Sequence, residues 1–207
     1  MKNITSPLLA AIAIFALGLV GTSQLMAAEG YELITPPQPT TSGDQVEVVE
    51  LFWYGCPHCY RLEPFVERWL QRKPANVKFV RMPGVFRDSW EIHARAYYTA
   101  EILNVVDKVH RPMFEAIHEQ KRRMDDEASI MGLFNAQGVS SEDFKRVFHS
   151  FAVETKLRRA KDMGQRYGAK GVPALIVNGK YRTGAQEAGG NAKVFTVVNQ
   201  LVKQEGR

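Results

Sequence analysis

Cysteine is scarce in this chain, which has only Cys56 and Cys59 among its 207 residues. A framework of several disulfides is therefore excluded, and a structural zinc site, which takes four ligands, lacks a second ligand pair at suitable spacing. We expect no metal ion. A structural Cys56–Cys59 disulfide stays open as an interpretation, but it would close a loop of about four residues and contribute only roughly 2 kcal/mol.

Long hydrophobic runs are also scarce. The run near the N-terminus, Leu8 to Val20, has about 13 residues, whereas a membrane-spanning helix needs about 20. Lys2 is the only charged residue before it, and the small residues Ala27 and Ala28 follow it. We therefore predict a secretory signal peptide over residues 1–28, cleaved after Ala27 or Ala28, with an uncleaved anchor as the alternative. Export would bring the chain to a compartment in which disulfides persist.

A large excess of one charge is absent too, with 27 basic and 22 acidic residues. Basic residues cluster over 121–123 and 156–161, but Glu154 and Asp162 flank the second cluster. Such mixed runs are typical of a solvated helix face, so we predict no nucleic-acid partner. The sequence has no internal repeat, and its length predicts one domain, or one domain with an insert.

What the chain does have is a Cys-Pro-His-Cys motif at a strand–helix junction. The run over 46–54 is β-branched and aromatic, as in a buried strand, and apolar residues recur at helical spacing from Pro57 onward. This pattern places Cys56 at the helix N-cap, Pro57 at the first helical position and Cys59 one turn further along.

The position of Cys56 has a chemical consequence. The free N–H groups and the positive dipole end of a helix stabilise a thiolate, and a protonated His58 would add positive charge. The pKa of Cys56 is therefore expected to lie below its usual ~8.5. A stabilised thiolate is a good leaving group, so a disulfide with Cys59 should be strongly oxidising, and the dithiol form should resist unfolding better than the disulfide form.

The remaining patterns predict a small sheet interrupted by helices. Strands over 31–34 and 77–82 flank the motif, and the helix that contains Pro64 makes a parallel crossover. Strands return over 174–177 and 180–182, followed by a helix over 191–203. The intervening helices are predicted over Trp90–Val106 with Asp88 and Glu91 as a capping box, over Pro112–Gln120, over Ala128–Gln137, from a Ser140 cap, and over Val153–Tyr167.

Three segments of the chain together resemble one known family. They are Glu50–Tyr60 (ELFWYGCPHCY), Gly171–Ala174 (GVPA) and Val177–Tyr181 (VNGKY), and the helical stretch separates the first from the others. In this order and at this spacing they resemble the DsbA family of periplasmic thiol oxidases. The resemblance covers essentially the whole mature chain.

The resemblance implies an α/β protein, namely a thioredoxin fold with an inserted all-helical domain. Residues 29–86 and 153–207 would form the two halves of the thioredoxin fold, and residues 87–152 the insert. It also implies that Cys56 is the exposed attacking cysteine and that Cys59 is its buried partner.

The second segment supplies an implied substrate-binding element. The resemblance implies that the Val172–Pro173 bond is cis and lies beside Cys56, where exposed backbone would pair with an extended substrate. Without the resemblance, an ordinary trans bond would be expected, since cis occurs in only about 5–6% of such bonds.

Glu50 is the one charged residue in the apolar half of its strand. If it is buried near the cysteines, its pKa is raised and it can pass a proton to Cys59, as the acid at this position of the family implies. Strand alternation leaves a solvent-facing Glu50 as the alternative. Trp53 and Tyr54 are candidates for apolar surface beside the cysteines, with core packing as the alternative for Trp53.

The function that the resemblance implies is oxidation of dithiols in reduced, unfolded exported proteins through a mixed disulfide at Cys56. It implies a periplasmic monomer without a bound cofactor, which a quinone-linked inner-membrane reoxidase of the DsbB type reoxidises. One alternative is a periplasmic isomerase or reductase, although residues 28–44 are too short for the dimerisation segment of such isomerases. The other is a peptide-binding chaperone that would not need Cys56.

Overall fold

The computed structural model describes residues 30–206, so the predicted signal peptide lies outside the described residues. The strands are β1 Glu32–Leu33, β2 Val46–Phe52, β3 Val77–Pro83, β4 Ala174–Val177 and β5 Tyr181–Thr183. They form one sheet in the order β1-β5-β4-β2-β3, in which β2 and β3 are parallel and the other neighbours are antiparallel. As predicted, the helix that carries the cysteine motif connects these two parallel strands.

Apart from the short helix over 185–188, which the sequence did not predict, the helices follow the predicted order. They are α1 Pro57–Leu70, α2 Glu91–Ile102, α3 Val106–His118, α4 Glu127–Ala136, α5 Ser141–Phe148, α6 Phe151–Arg166, α7 Ala185–Ala188 and α8 Asn191–Glu205. Helices α2 to α6 interrupt the sheet between β3 and β4, which is the thioredoxin fold with a helical insertion. The exact domain boundaries after residues 86 and 152 stay predictions. Between residues 30 and 206, no helix is both long enough and apolar enough to cross a membrane.

The sheet separates two hydrophobic cores. Val46 and Val48 of β2 pack with α1 and α8, whereas Val49 and Leu51 pack with the helical insertion. Every residue of β2 is buried, because both faces of this central strand are covered. The solvent-facing alternative for Glu50 is therefore wrong.

Two helix boundaries in the insertion differ from the prediction. The single helix predicted over Trp90–Val106 is wrong: α2 ends at Ile102, and Asn104 takes a left-handed conformation with φ 54°. Asparagine adopts this conformation more readily than most residues, so the chain can break there. The prediction that Pro112 starts a helix is also wrong, because α3 begins at Val106 and contains the proline.

The two predicted helix caps have different outcomes. Ser140 caps α5, and its Oγ accepts the N–H of Asp143 at 3.0 Å. The capping box of Asp88 and Glu91 is wrong, because residues 88–90 form a 3₁₀ turn without a side-chain cap. Glu91 instead makes an ion pair with Lys161 of α6, a contact that local sequence does not predict.

The turn between β4 and β5 allows a test of the fold. Asn178 and Gly179 have φ of 51° and 66°, and a Cβ at Gly179 would lie 2.0 Å from the carbonyl oxygen of Gln38. We expect Gly179→Ala to lower the free energy of unfolding by roughly 2 kcal/mol in urea denaturation, because left-handed strain and a main-chain clash add. Gly138→Ala is the control, with φ of 86° but open space around it, and should cost only about 1 kcal/mol. Equal losses would contradict the clash.

Candidate active site

Helix α1 begins at the cysteine motif as predicted. Cys56 is the N-cap, with φ −89° and ψ 115°, and Pro57 is the first helical residue. The Sγ of Cys56 accepts the backbone N–H of Cys59 at 3.4 Å. The sulfur therefore takes the place that a serine or aspartate oxygen has in other N-caps, facing the free donors of the first turn.

The pKa of Cys56 is lowered from 9.0 to about 6. The largest cause is a hydrogen bond from the Cys59 thiol, while burial acts in the opposite direction. The backbone N–H groups of Cys59 and His58 and the charge of a protonated His58 lower it further. The direction agrees with the sequence prediction, but the part played by the second thiol was not predicted.

His58 is exposed and makes a contact that sequence reasoning missed. Its Nδ1 lies 2.9 Å from Nη2 of Arg61, one turn along α1. A guanidinium only donates hydrogen bonds, so Nδ1 is the acceptor in this contact. Arg61 therefore contributes a permanent positive charge next to the motif.

The two cysteines differ in accessibility and in pKa, and both thiols are free. Cys59 is completely buried, which is the main reason that its pKa is raised well above the usual value. Cys56 is 6% exposed, so it is the more accessible of the two. The expectation of an exposed Cys56 is nevertheless wrong, because Cys56 is buried and its thiol contacts the Val172 carbonyl.

The Val172–Pro173 element lies against Cys56. The bond between these two residues is cis. The Cys56 thiol donates to the carbonyl oxygen of Val172 at 3.5 Å, although the two residues are 116 positions apart. Val172 and Pro173 are half-buried, and together with His58 and Arg182 they line a groove of about 640 Å³.

Glu50 is completely buried on β2, in register with Arg81 on β3. Arg81 Nε lies 3.3 Å from Glu50 Oε2, but neither carboxyl oxygen forms a hydrogen bond of good geometry in the part of the chain that the structure describes. Burial raises the pKa of Glu50 to about 8, the charge of Glu63 adds to this, and Arg81 opposes it. The charge of Glu50 also raises the pKa of Cys59, so the two groups interact electrostatically.

Three residues that sequence reasoning did not single out form a polar network with Glu50. Arg81 Nη2 donates to Glu63 Oε2 at 3.2 Å, and His110 Nε2 lies 3.3 Å from Glu63 Oε1. The available signal was Glu63 itself, an acidic residue on the same face of α1 as the buried Val66.

The aromatic residues before the motif have different environments. Trp53 is half-buried and stacks on Trp90, with ring centroids 4.1 Å apart. Tyr54 is buried and its hydroxyl contacts His110, so the prediction that Tyr54 adds apolar surface is wrong. Gly55 lies so close to Trp53 that a Cβ would be 2.3 Å from the indole ring.

Comparison with known proteins places this site in a family. The family described as DSBA-like thioredoxin domain matches residues 80–202, which is more than half of the chain but begins after the cysteine pair. Full-length relatives cover the pair. The thiol:disulfide interchange proteins DsbA of Pseudomonas syringae pv. tomato and Pseudomonas aeruginosa are 37% and 34% identical over 206 residues, which is 99% of this chain and 96% and 97% of theirs.

Solved structures agree with this relationship. The crystal structure of Pseudomonas aeruginosa DsbA is 36% identical, with a TM-score of 0.81 over 85% of this chain and 92% of that chain. The oxidoreductase DsbA from Xylella fastidiosa is 29% identical, with a TM-score of 0.79 over 85% of this chain and 95% of that chain. The chain therefore belongs to the DsbA family of thiol:disulfide interchange proteins.

Proposed function

We propose that this chain is a periplasmic dithiol oxidase that donates its Cys56–Cys59 disulfide to newly exported proteins. As a member of the DsbA family it is a thiol:disulfide oxidoreductase. The direction of electron flow rests on one observation: Cys56 Sγ caps helix α1, where the Cys59 thiol and backbone donors lower its pKa, whereas complete burial raises the pKa of Cys59. These two pKa shifts favour the reduced enzyme, because the helix donors and the neighbouring thiol stabilise the negative charge of the Cys56 thiolate.

The reaction consists of two exchanges. A substrate thiolate attacks Sγ of Cys56, the Cys56–Cys59 bond breaks, and Cys59 leaves. A second substrate thiolate attacks the substrate sulfur of the mixed disulfide, forms the substrate's disulfide and releases the Cys56 thiolate. Two electrons pass to the enzyme, one substrate proton is taken up at Cys59 and the other is released to solvent. No bound cofactor takes part.

The first exchange needs a proton donor near Cys59, because the raised pKa makes its thiolate a poor leaving group. Glu50 meets this need, since its pKa of about 8 leaves the carboxyl largely protonated at pH 7. In the proposed relay, the Glu50 carboxyl gives its proton to the leaving sulfur of Cys59, and the resulting carboxylate takes up one of the two protons that the substrate thiols release.

We expect Glu50→Gln to slow the release of Cys59 by roughly 10- to 100-fold, because the amide has no acidic proton to give. Stopped-flow measurement of mixed-disulfide formation with a reduced peptide gives this rate. Glu47→Gln is the matched control, since Glu47 is also buried on β2 but bonds to Thr41 and Ser42. Unchanged exchange kinetics in Glu50→Gln would remove Glu50 from the relay.

Substrate binding uses the groove along Val172 and Pro173. In the disulfide form, Cys56 has no thiol proton, so the Val172 carbonyl is free to accept an N–H from an extended substrate. Contacts of this kind use the main chain and select little for sequence, which suits an oxidant of many exported proteins. Polar side chains such as Arg182 and Glu187 also line the groove.

The compartment and the partners follow from the same proposal. Cleavage after Ala27 or Ala28 would release the chain into the periplasm as a monomer. Each cycle leaves the enzyme reduced, so an oxidant must remove two electrons. A quinone-linked inner-membrane reoxidase of the DsbB type supplies this step in the proposed cycle.

Equilibration with glutathione tests the direction of the reaction. An oxidase is expected to be reduced by glutathione mixtures that leave thioredoxin oxidised, because its dithiol form is the more stabilised. A potential as reducing as that of thioredoxin would favour the reductase alternative and contradict the proposal.

A further inference from the structure

A chain of buried polar side chains runs from Tyr54 to Glu50. The Tyr54 hydroxyl lies 3.0 Å from Nδ1 of His110, and Nε2 of His110 lies 3.3 Å from Glu63 Oε1. The other oxygen of Glu63 accepts from Arg81 at 3.2 Å, and Arg81 Nε lies 3.3 Å from Glu50. The five side chains come from α1, α3, β2, β3 and the segment after β2. The hydrogen-bonded network therefore forms only in the folded protein.

The donors in this chain assign the tautomer of His110. Burial raises the pKa of Tyr54 well above its usual value, so its hydroxyl keeps its proton. Burial lowers the pKa of His110, so the imidazole is neutral at pH 7. Arg81 donates to Glu63, whose pKa is lowered, so Glu63 is ionised and only accepts hydrogen bonds. The single ring proton of His110 therefore lies on Nε2, and the Tyr54 hydroxyl donates to Nδ1.

The network holds two carboxyl groups and one guanidinium group. A single Arg81 can neutralise only one buried carboxylate, and a second charge would be uncompensated. Glu63 has two donors, Arg81 and His110, whereas Glu50 has only the 3.3 Å approach of Arg81 Nε and no geometrically formed hydrogen bond within residues 30–206. The negative charge therefore belongs on Glu63, and the proton on Glu50.

We propose that His110, oriented by Tyr54, is a positioning residue that keeps Glu63 as the ionised partner of Arg81 and thereby leaves the exchangeable proton on Glu50. This inference rests on the proposed function, because it explains how Glu50, the proposed proton donor to Cys59, remains protonated. A cavity of about 290 Å³ reaches Glu63, so Glu63 lies nearer to solvent than the completely buried Glu50.

Several elements contribute groups that act on His110. The charge of Glu63 favours its protonation, that of Arg81 opposes it, and the apolar rings around it disfavour any charge. The charged, titratable and aromatic groups that face His110 are Glu63 and Glu67 of α1, Arg81 of β3, Phe52 of β2, Tyr54 after β2, Tyr97 of α2 and Phe114 of α3.

The test is the titration of Glu50 in the reduced full-length protein, followed by ¹³C NMR of labelled glutamate carboxyl groups. Glu50→Gln assigns the signal. We expect His110→Leu to lower the Glu50 titration midpoint by about one pH unit and to raise that of Glu63, because Glu63 loses a donor and Arg81 becomes available to Glu50. His110→Gln keeps an N–H donor near the position of Nε2 and should restore most of the original midpoint.

Two further variants keep the test decisive. Tyr54→Phe removes only the hydroxyl and should give a smaller shift in the same direction, which matters if His110→Leu does not fold. His149→Leu is the control, because His149 is exposed and pairs with Glu127, and it should leave the titration unchanged. Identical Glu50 midpoints in the wild type and in both His110→Leu and Tyr54→Phe would overturn the inference.

The readout separates this inference from the proposed relay. The Glu50 midpoint is measured without any substrate. If it shifts in His110→Leu while Glu50→Gln exchanges thiols at the wild-type rate, His110 positions the proton as inferred but the relay to Cys59 is wrong.

Discussion

Replacement of Cys56 by serine is expected to abolish the oxidation of a reduced two-cysteine peptide, so that only the uncatalysed rate remains. The Sγ of Cys56 is the atom that the substrate attacks, and a serine oxygen forms no disulfide with Cys59. Mass spectrometry of peptide and enzyme gives the amount of disulfide transferred. A chaperone that uses only the groove would keep its function in this variant. If Cys56→Ser still prevents the aggregation of an unfolded protein as well as the wild type does, the chaperone alternative is supported.

Cys59→Ser is the matched variant for this experiment. It also loses peptide oxidation, but its serine hydroxyl still donates to the Cys56 sulfur, which is the interaction that lowers the pKa of Cys56 most. We therefore expect Cys59→Ser to form a mixed disulfide with oxidised glutathione at neutral pH, and Cys56→Ser to form almost none. The opposite result would make Cys59 the attacking cysteine.

The stability of the reduced protein is expected to rise with pH relative to that of Cys56→Ser. The pKa of Cys56 is lowered from 9.0 to about 6 on folding, so its contribution is fully present above pH 9 and is lost as the pH falls through about 6. A shift of this size corresponds to at most about 4 kcal/mol, and solvent screening at the helix terminus reduces it to roughly 3 kcal/mol. Urea denaturation at pH 5, 7 and 9 measures the difference.

The oxidised protein provides the second comparison in that experiment. It has no thiolate at Cys56, so its stability should lack this pH dependence, and the reduced form should gain on it as the pH rises. Parallel curves for the reduced and oxidised forms would mean that folding does not stabilise the thiolate, and the argument for an oxidising disulfide would fail.

Local signals predicted the elements around the motif. Cys56 at the N-cap, Pro57 in the first turn and the Asn178-Gly179 turn each depend on the conformation of a few neighbouring residues, and each is found as predicted. The predicted helix boundaries near Asn104 and Pro112 were wrong, because tertiary packing decides where α2 ends and α3 begins. Helix spacing in the sequence does not contain that information.

The site was predictable only in part, for a similar reason. The cysteine pair is a local motif, and its resemblance to a family supplied the distant Val172–Pro173 element. Glu63, Arg81 and His110 come from three separate elements, and no short spacing links them. The parallel register of β2 and β3 places Glu50 beside Arg81. Without that register, the sequence does not show that Glu50 and Glu63 share the guanidinium group of Arg81.

The acceptor over the Cys56 sulfur belongs to the main chain of Val172. Every residue type carries that carbonyl, so no point substitution at position 172 deletes the acceptor, and mutational drift there changes only the shape of its side chain. Gly55 is constrained in the opposite way, since any larger side chain would meet the Trp53 ring. Substitution of Val172 is therefore expected to preserve the contact to the reactive sulfur, whereas substitution of Gly55 displaces the Trp53 ring.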